Sequence, residues 1–310
     1  MQSHLECRMV IARRITFWLV ATLLLISLLG CSGIAVYNHV VAQRASDWEA
    51  SLEWCEDGVR RGCEEFVIGS ETGGTLLMVH GFGDVPEVWR PMAKAFAKLG
   101  YRCHAVRLPG FSEPLQARRD FVWQNWTNSV TDTFQSGPGP IIVVGHSLGG
   151  ATLIRAVLDE QIKPQAVILL APLLEVSNRR SVLLSPRKWF QLFGQHIPLT
   201  ESPFPRDVLK PHATDHLPTD RFTPRSVYTA LFAMLELNWA QAEHFTTPLF
   251  LATTPHDRVV RSDRAIDWFD RTPSGLQKMH VSADKSGHVL PLDYDADSLV
   301  QEIHTFIQSL

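Results

Sequence analysis

The run Gly145-His146-Ser147-Leu148-Gly149-Gly150 follows four apolar residues, 141–144, and opens a helix-like stretch. A G-x-S-x-G pattern arises often by chance. Between a buried strand and a helix, however, it marks a sharp bend that lifts the serine hydroxyl out of the sheet, with glycines where side chains would collide. The chemistry available to such a serine is nucleophilic attack. It then needs a base to take its proton and a third group to hold that base in one tautomer. The chain order expected for those partners is acid, then histidine.

Asp257 follows the apolar run 248–254, at a strand end where open α/β sheets bind ligands. His288 follows the strand-like segment 278–281 and precedes the last helical stretch, about 297–310. Each has a plain alternative: Asp257 as a turn cap or partner of Arg258, His288 as a surface histidine. Together, in order and each beyond a strand, they read as the triad Ser147, His288 and Asp257. His256, His280 and His304 compete for the base role without the position after the last strand, and Glu175, past the strand 166–170, is the fallback acid. A developing oxyanion also needs donors. The strand 75–79 runs into His80-Gly81-Phe82-Gly83-Asp84, whose Phe82 N–H is expected to face the N–H of Leu148. Loss of one such donor typically costs about 3 kcal/mol of transition-state stabilisation. The turn 107–112 after the strand 103–106 reads as structural.

These residues resemble the α/β-hydrolase superfamily, and within it carboxylesterases and monoacylglycerol lipases with a short lid. The matching pieces are His80-Gly81-Phe82-Gly83, Leu108-Pro109-Gly110-Phe111-Ser112, Gly145 to Gly150, Asp257-Arg258-Val259-Val260 and the run from Ser286 to Asp293. The resemblance implies Ser147 as nucleophile, His288 as base, Asp257 as its orienter, and Phe82 and Leu148 as oxyanion donors. One departure is the acid turn, Thr254-Pro255-His256-Asp257, where many relatives carry a glycine before the acid. Serine at the elbow argues against the dehalogenases and epoxide hydrolases of the superfamily, which attack with aspartate. It favours an acyl-enzyme route, and the resemblance ranks esters first.

Positioning these side chains requires alternating strands and helices, hence a mostly parallel sheet flanked by helices over residues 65–310. The 310 residues, 45% hydrophobic and 20% charged, suffice for one such domain with a sizeable core. The net charge of −3 gives no field pointing to nucleic acid, and no cofactor or metal site is implied; His212 and His216 read as exposed loop residues. Helices are expected over 89–99, 121–134 and 225–242. Between 173 and about 223 the pattern turns proline-rich with aromatic residues interspersed, which is read as a lid that lines an acyl pocket.

The amino terminus is exceptional. From Ile15 to Tyr37 no residue is charged, a stretch of 23 positions behind Arg8, Arg13 and Arg14. It is long enough to span a bilayer. Residues 1–14 are then a cytoplasmic tail, 15–37 a transmembrane anchor and 38–64 a connector, with the hydrolase domain on the extracytoplasmic side. A cleaved signal peptide and a lipoprotein-type box ending in a lipidated Cys31 are the alternative fates. Cys55 and Cys63 flank a short charged stretch and are candidates for a local disulfide on an oxidising side, whereas Cys103 reads as a buried thiol. The expected activity is that of a membrane-tethered serine esterase acting on a small-molecule acyl ester or lipid. A thioesterase, acyltransferase or peptidase on the same triad, or a catalytically silent binding protein of the same fold, are the alternatives.

Overall fold

Uninterrupted apolar runs form the middle of the molecule, because strands covered on both faces carry no polar face. The computed structural model of the chain describes residue 30 and residues 32–70, 74–139, 141–181, 183–202, 204–273 and 275–310. After a helix α1 (32–50), strands β1 (Phe66–Ile68) and β2 (Thr75–Val79) lead through α2 (Arg90–Lys98) to β3 (Arg102–Val106) and α3 (Gln124–Ser136). Strand β4 (Ile141–His146), helix α4 (Leu148–Leu158) and β5 (Val167–Leu170) follow. A cap then carries α5 (Pro186–Phe193), β6 (Leu199–Glu201) and β7 (Phe222–Pro224). The chain returns through α6 (Arg225–Ala240), β8 (Leu249–Thr253), α7 (Ser262–Arg271), β9 (Lys278–Ser282) and α8 (Ala296–Gln308).

The main sheet has seven strands in the order β1-β3-β2-β4-β5-β8-β9, all pairs parallel except the antiparallel β1–β3 edge. Every residue of β2, β4, β5 and β8 is buried. Helices flank the sheet. One packed pair is α2 with α8; a second group places α4 between α3 and α6. Helix α4 is buried almost throughout its first nine residues, and Asn238 of α6 donates to its Ala151 carbonyl at 2.8 Å. The helix expected from residue 121 begins at Gln124. The expected segment 225–242 is helical to Ala240. The proline-rich stretch is not only loop: β6 and β7 pair antiparallel within it, and α5 starts at Pro186, where a proline needs no N–H partner.

Residues 15–29 of the expected membrane span, and Cys31, lie outside the described residues. Among the described residues, no helix is long and apolar enough to cross a membrane. Helix α1 packs on the cap: Val41, Ala45 and Trp48 cluster with Phe222, Asn38 donates to the His196 carbonyl at 2.8 Å, and Arg44 pairs with Glu201 at 2.9 Å. The proposed Cys55–Cys63 disulfide is corrected, since both are free thiols. Cys63 is fully buried in the core, which pushes its thiol pKa up, while Cys55 turns outward to the Glu64 carboxylate at 3.2 Å. Cys103 is buried as expected, and burial raises its thiol to about 12.

Candidate active site

Strand β4 ends against α4 with a single residue between them, so Ser147 must take the whole change of direction. It does so at φ 51° and ψ −116°, a left-handed conformation costing a non-glycine residue of order 1–3 kcal/mol. Its N–H donates to the Leu170 carbonyl at 3.0 Å, and its carbonyl accepts from Leu173 and Ala151 at 2.9 and 3.2 Å. The bend also brings α4 against the end of β2. A Cβ at Gly149 would sit 2.1 Å from the Val79 carbonyl oxygen, so only glycine fits there.

Asp257 lies in the loop after β8. Its Oδ1 accepts from the N–H groups of Val259 and Val260, both at 2.8 Å, which aims Oδ2 at His288 Nδ1, also 2.8 Å away. The departure at His256 does not disturb this turn, because the His256 N–H is held by the Thr254 hydroxyl at 3.1 Å. Burial pushes the Asp257 carboxyl up, but the facing imidazole and the two N–H groups outweigh it and hold it below the ordinary carboxylate value. With Nδ1–H donated to a carboxylate, His288 keeps Nε2 as its basic nitrogen. Ser147 and His288 are both nearly fully buried and line one cavity of about 550 Å³. That volume suits a small ligand.

The other sequence candidates lie elsewhere. Glu175 is engaged by Arg261 and Arg264, each at 2.9 Å. His280 meets the Thr253 hydroxyl at 2.9 Å, His304 meets Tyr101 at 2.9 Å, and His256 is exposed. His212 pairs with Asp215 at 2.7 Å on the surface.

The loop after β2 is braced from inside. His80 donates from Nδ1 to the Gly81 carbonyl at 2.8 Å and accepts the Leu108 N–H at Nε2, 3.0 Å away. Burial lowers its pKa, consistent with a neutral ring bridging two loops. Phe82 and Gly81 line the cavity, with the Phe82 ring between Phe111 and Tyr228 at 5.0 and 5.3 Å. Leu148 is the first residue of α4, and the N–H groups of a helix's first turn have no partner within the helix. The Leu148 N–H, directly after Ser147 in the chain, is thus without a partner inside α4, and Phe82 lines the cavity that Ser147 also lines.

Four residues left unassigned in the sequence also build the site. His146 donates from Nε2 to the His288 carbonyl at 3.0 Å; burial and the neighbouring imidazole lower its pKa to about 4. Asp84 pairs with Arg206 at 2.8 Å, and Asp207 accepts the Arg258 N–H at 2.8 Å. Asp293 accepts the Gly287 N–H at 2.7 Å. His146 lies within the elbow motif, Asp84 within the run after β2 and Asp293 at the end of the run from Ser286, so only Asp207 carried no signal. Asp207 looks like a solvated loop residue until the fold buries it.

A family model described as "Serine aminopeptidase, S33" matches residues 70–295. A thermostable monoacylglycerol lipase of Bacillus sp. (strain H-257) is 24% identical over 246 residues, 78% of this chain and 93% of the relative. A carboxylesterase of Bacillus subtilis (strain 168) is 23% identical over 243 residues, 76% of this chain and 92% of the relative. The crystal structure of Paleococcus ferrophilus monoacylglycerol lipase aligns over 79% of this chain and 98% of that chain with a TM-score of 0.69 at 18% identity. That structure shares the α/β-hydrolase fold.

Proposed function

The chain belongs to the serine aminopeptidase S33 family of α/β-hydrolases, and from that premise we propose that it is a serine esterase of the lipase and carboxylesterase kind. The observation that carries the proposal is the 2.8 Å hydrogen bond between His288 Nδ1 and Asp257, in a cavity that Ser147 also lines. Ser147 Oγ attacks the ester carbonyl carbon while His288 Nε2 takes its proton. Asp257 stays ionised, holds the tautomer and stabilises the imidazolium. The carbonyl oxygen becomes an oxyanion between the N–H groups of Phe82 and Leu148, each contributing about 3 kcal/mol. The tetrahedral intermediate collapses, and the alcohol leaves with the proton from His288. Water, deprotonated by the same nitrogen, then attacks the acyl-enzyme and restores Ser147.

The cavity lining supports an apolar acyl group. Phe190, Phe193, Ile197 and Phe232 of the cap and α6 face it. A family description as aminopeptidase raises the competing reading of a peptide substrate, whose free ammonium would need a carboxylate. The carboxylates lining the cavity already hold cationic or N–H partners: Asp84 is met by Arg206, Asp220 Oδ2 by Arg118 and the Ser112 N–H, and Asp207 Oδ2 by the Arg258 N–H. None of the three is an unneutralised charge free for an ammonium, except at the buried Asp220 Oδ1. Named relatives that act on monoacylglycerol or carboxylic esters point the same way. Ser147→Ala should lower turnover of p-nitrophenyl butyrate by several orders of magnitude. Turnover at the parental rate in that variant moves the chemistry to another residue.

Membrane tethering belongs to the same proposal. The uncharged stretch 15–37 supports an anchor, with the hydrolase domain on the extracytoplasmic face, and lipidation at Cys31 is its alternative. Membrane fractionation with alkaline carbonate washing tests it: the protein should stay in the pellet at full mass. A lipidated, shortened chain in the pellet replaces the anchor with the Cys31 alternative, and a soluble, shortened chain removes both.

A further inference from the structure

One dipeptide of the cap reaches three of the loops around Ser147, those after β2, β8 and β9. Arg206 Nε donates to Asp84 Oδ1 at 2.8 Å, two residues beyond Phe82 in the loop after β2. Its other nitrogens are tied within the cap, to the Thr219 hydroxyl at 2.8 Å and the Pro218 carbonyl at 2.6 Å. Asp207 Oδ2 accepts the N–H of Arg258, next to Asp257, at 2.8 Å. The Asp207 carbonyl accepts the N–H of Val289, next to His288, at 3.0 Å. The approach is so close that a Cβ at Gly287 would lie 2.9 Å from that carbonyl oxygen. Just beyond, the N–H groups of Leu209 and Lys210 donate to Asp293 at 2.7 and 2.8 Å, and Asp293 also takes the Gly287 N–H at 2.7 Å. The carboxylates involved are buried, with Asp84, Asp207 and Asp293 at 5%, 7% and 2% exposure, so these bonds are shielded from competing water.

We propose that Arg206-Asp207 is a positioning element through which the cap fixes the mutual placement of the oxyanion loop, the Asp257 loop and the His288 loop. The proposal rests on the triad reading above. It assigns to the cap a share of the catalytic geometry, beyond lining the cavity. The sheet sets where each loop starts; the loops after β2, β8 and β9 leave three separate strand ends. The loops after β8 and β9 also meet directly, where the Thr254 hydroxyl donates to the Ser286 carbonyl at 2.5 Å; Arg206 and Asp207 tie both of them, through the cap, to the loop after β2. The positioning acts on the transition state, since the oxyanion donor and the imidazole are needed there in register, whereas ground-state binding of an apolar acyl chain needs neither.

The test is steady-state kinetics of Arg206→Ala, Asp207→Ala and Asp207→Asn in the full chain, with fluorophosphonate labelling rates and thermal melting alongside. Each alanine variant should lower kcat roughly ten- to hundredfold, as expected for small misplacements of reacting groups. KM should stay within about threefold, and the kcat loss should be the same for esters of different alcohols. Labelling should slow in parallel, and Asp207→Asn, whose amide oxygen still accepts the Arg258 N–H, should recover most of the rate. Folded alanine variants with parental kcat overturn the proposal. So does a loss confined to KM or to one leaving alcohol, which would make these residues substrate contacts, and so does an Asp207→Asn variant as slow as Asp207→Ala. If an alanine variant does not fold, Arg206→Gln carries the test: a lowered kcat at parental melting temperature supports positioning, and a parental kcat overturns it. A folded parent that fluorophosphonate does not label defeats the triad reading itself, which is a different result from an active parent with indifferent variants.

Discussion

The strand ends and the cap are built on opposite principles. Around Ser147, His288 and Asp257 the chain is buried and its hydrogen bonds are backbone or charge-assisted, such as the paired N–H groups on Asp257 Oδ1 at 2.8 Å. In the cap, α5 buries none of its residues, and Leu192 is 56% exposed. The cap is held instead at separate points: the α1 cluster around Trp48 and Phe222, the Arg118–Asp220 pair, and Arg206-Asp207. The sheet thus fixes chemistry by packing, while the cap shapes the cavity and touches the chemistry through a few polar links. Substitutions at the strand ends should cost rate outright; those in the cap should change selectivity or stability according to which link they cut.

The sharpest contrast comes from Asp257→Asn, which keeps the shape but favours the wrong imidazole tautomer. It should lower kcat by about 10⁴-fold, in the manner of triad acids, with little loss of stability. A loss below tenfold would mean that the acid at this strand end is not the orienter. Next is Asp220→Ala in the cap, which strands Arg118 with its side chain 1% exposed. Breaking a buried pair in this way costs about 3–5 kcal/mol, visible in denaturant unfolding. An unchanged unfolding midpoint would show that the pair is not a hinge point of the cap.

His146 gives the strand-end region a pH signature. Its folded pKa of about 4 lies below the ordinary 6.5, so as pH falls the unfolded chain takes the proton first. The stability from keeping this ring neutral is full above about pH 6.5 and is lost progressively toward pH 4. Between pH 7.5 and 4.5 the parent should therefore lose about 2–3 kcal/mol that a His146→Gln variant does not lose. Parallel pH curves for the two proteins would remove His146 from the account. The smallest expected effect is in the cap. Phe190 packs on Phe232 and Tyr228 at 5.2 and 6.2 Å and lines the cavity. Phe190→Ala should cost less than about 2 kcal/mol of stability at this partly exposed site. It should shift preference a few-fold toward longer acyl chains, read from a p-nitrophenyl ester series; an unchanged series would separate α5 from substrate selection.

The same division decides what the sequence could tell. The elbow at Ser147 and the acid beyond β8 follow continuous buried runs, whereas β9 is a mixed, partly exposed strand, so the place of His288 follows from strand order and the position before the last helix. Strand β1 has three residues with alternating exposure, too short for a pattern, and is fixed only by pairing with β3. Arg206 and Asp207 sit among prolines and look like solvated charges. Their meaning depends on partners 122 and 51 residues away, Asp84 and Arg258. The cysteines failed for a related reason. Spacing in sequence allowed Cys55 and Cys63 to meet, but core packing claimed Cys63.

The central claim is that Ser147 is made nucleophilic by His288 and Asp257. Intact-protein and peptide mass spectrometry after fluorophosphonate treatment tests it most directly. One adduct should form, on the peptide containing Ser147, and labelling should be abolished by Ser147→Ala and slowed by His288→Ala. A folded protein that stays unmodified, or carries the adduct on another residue, would contradict it.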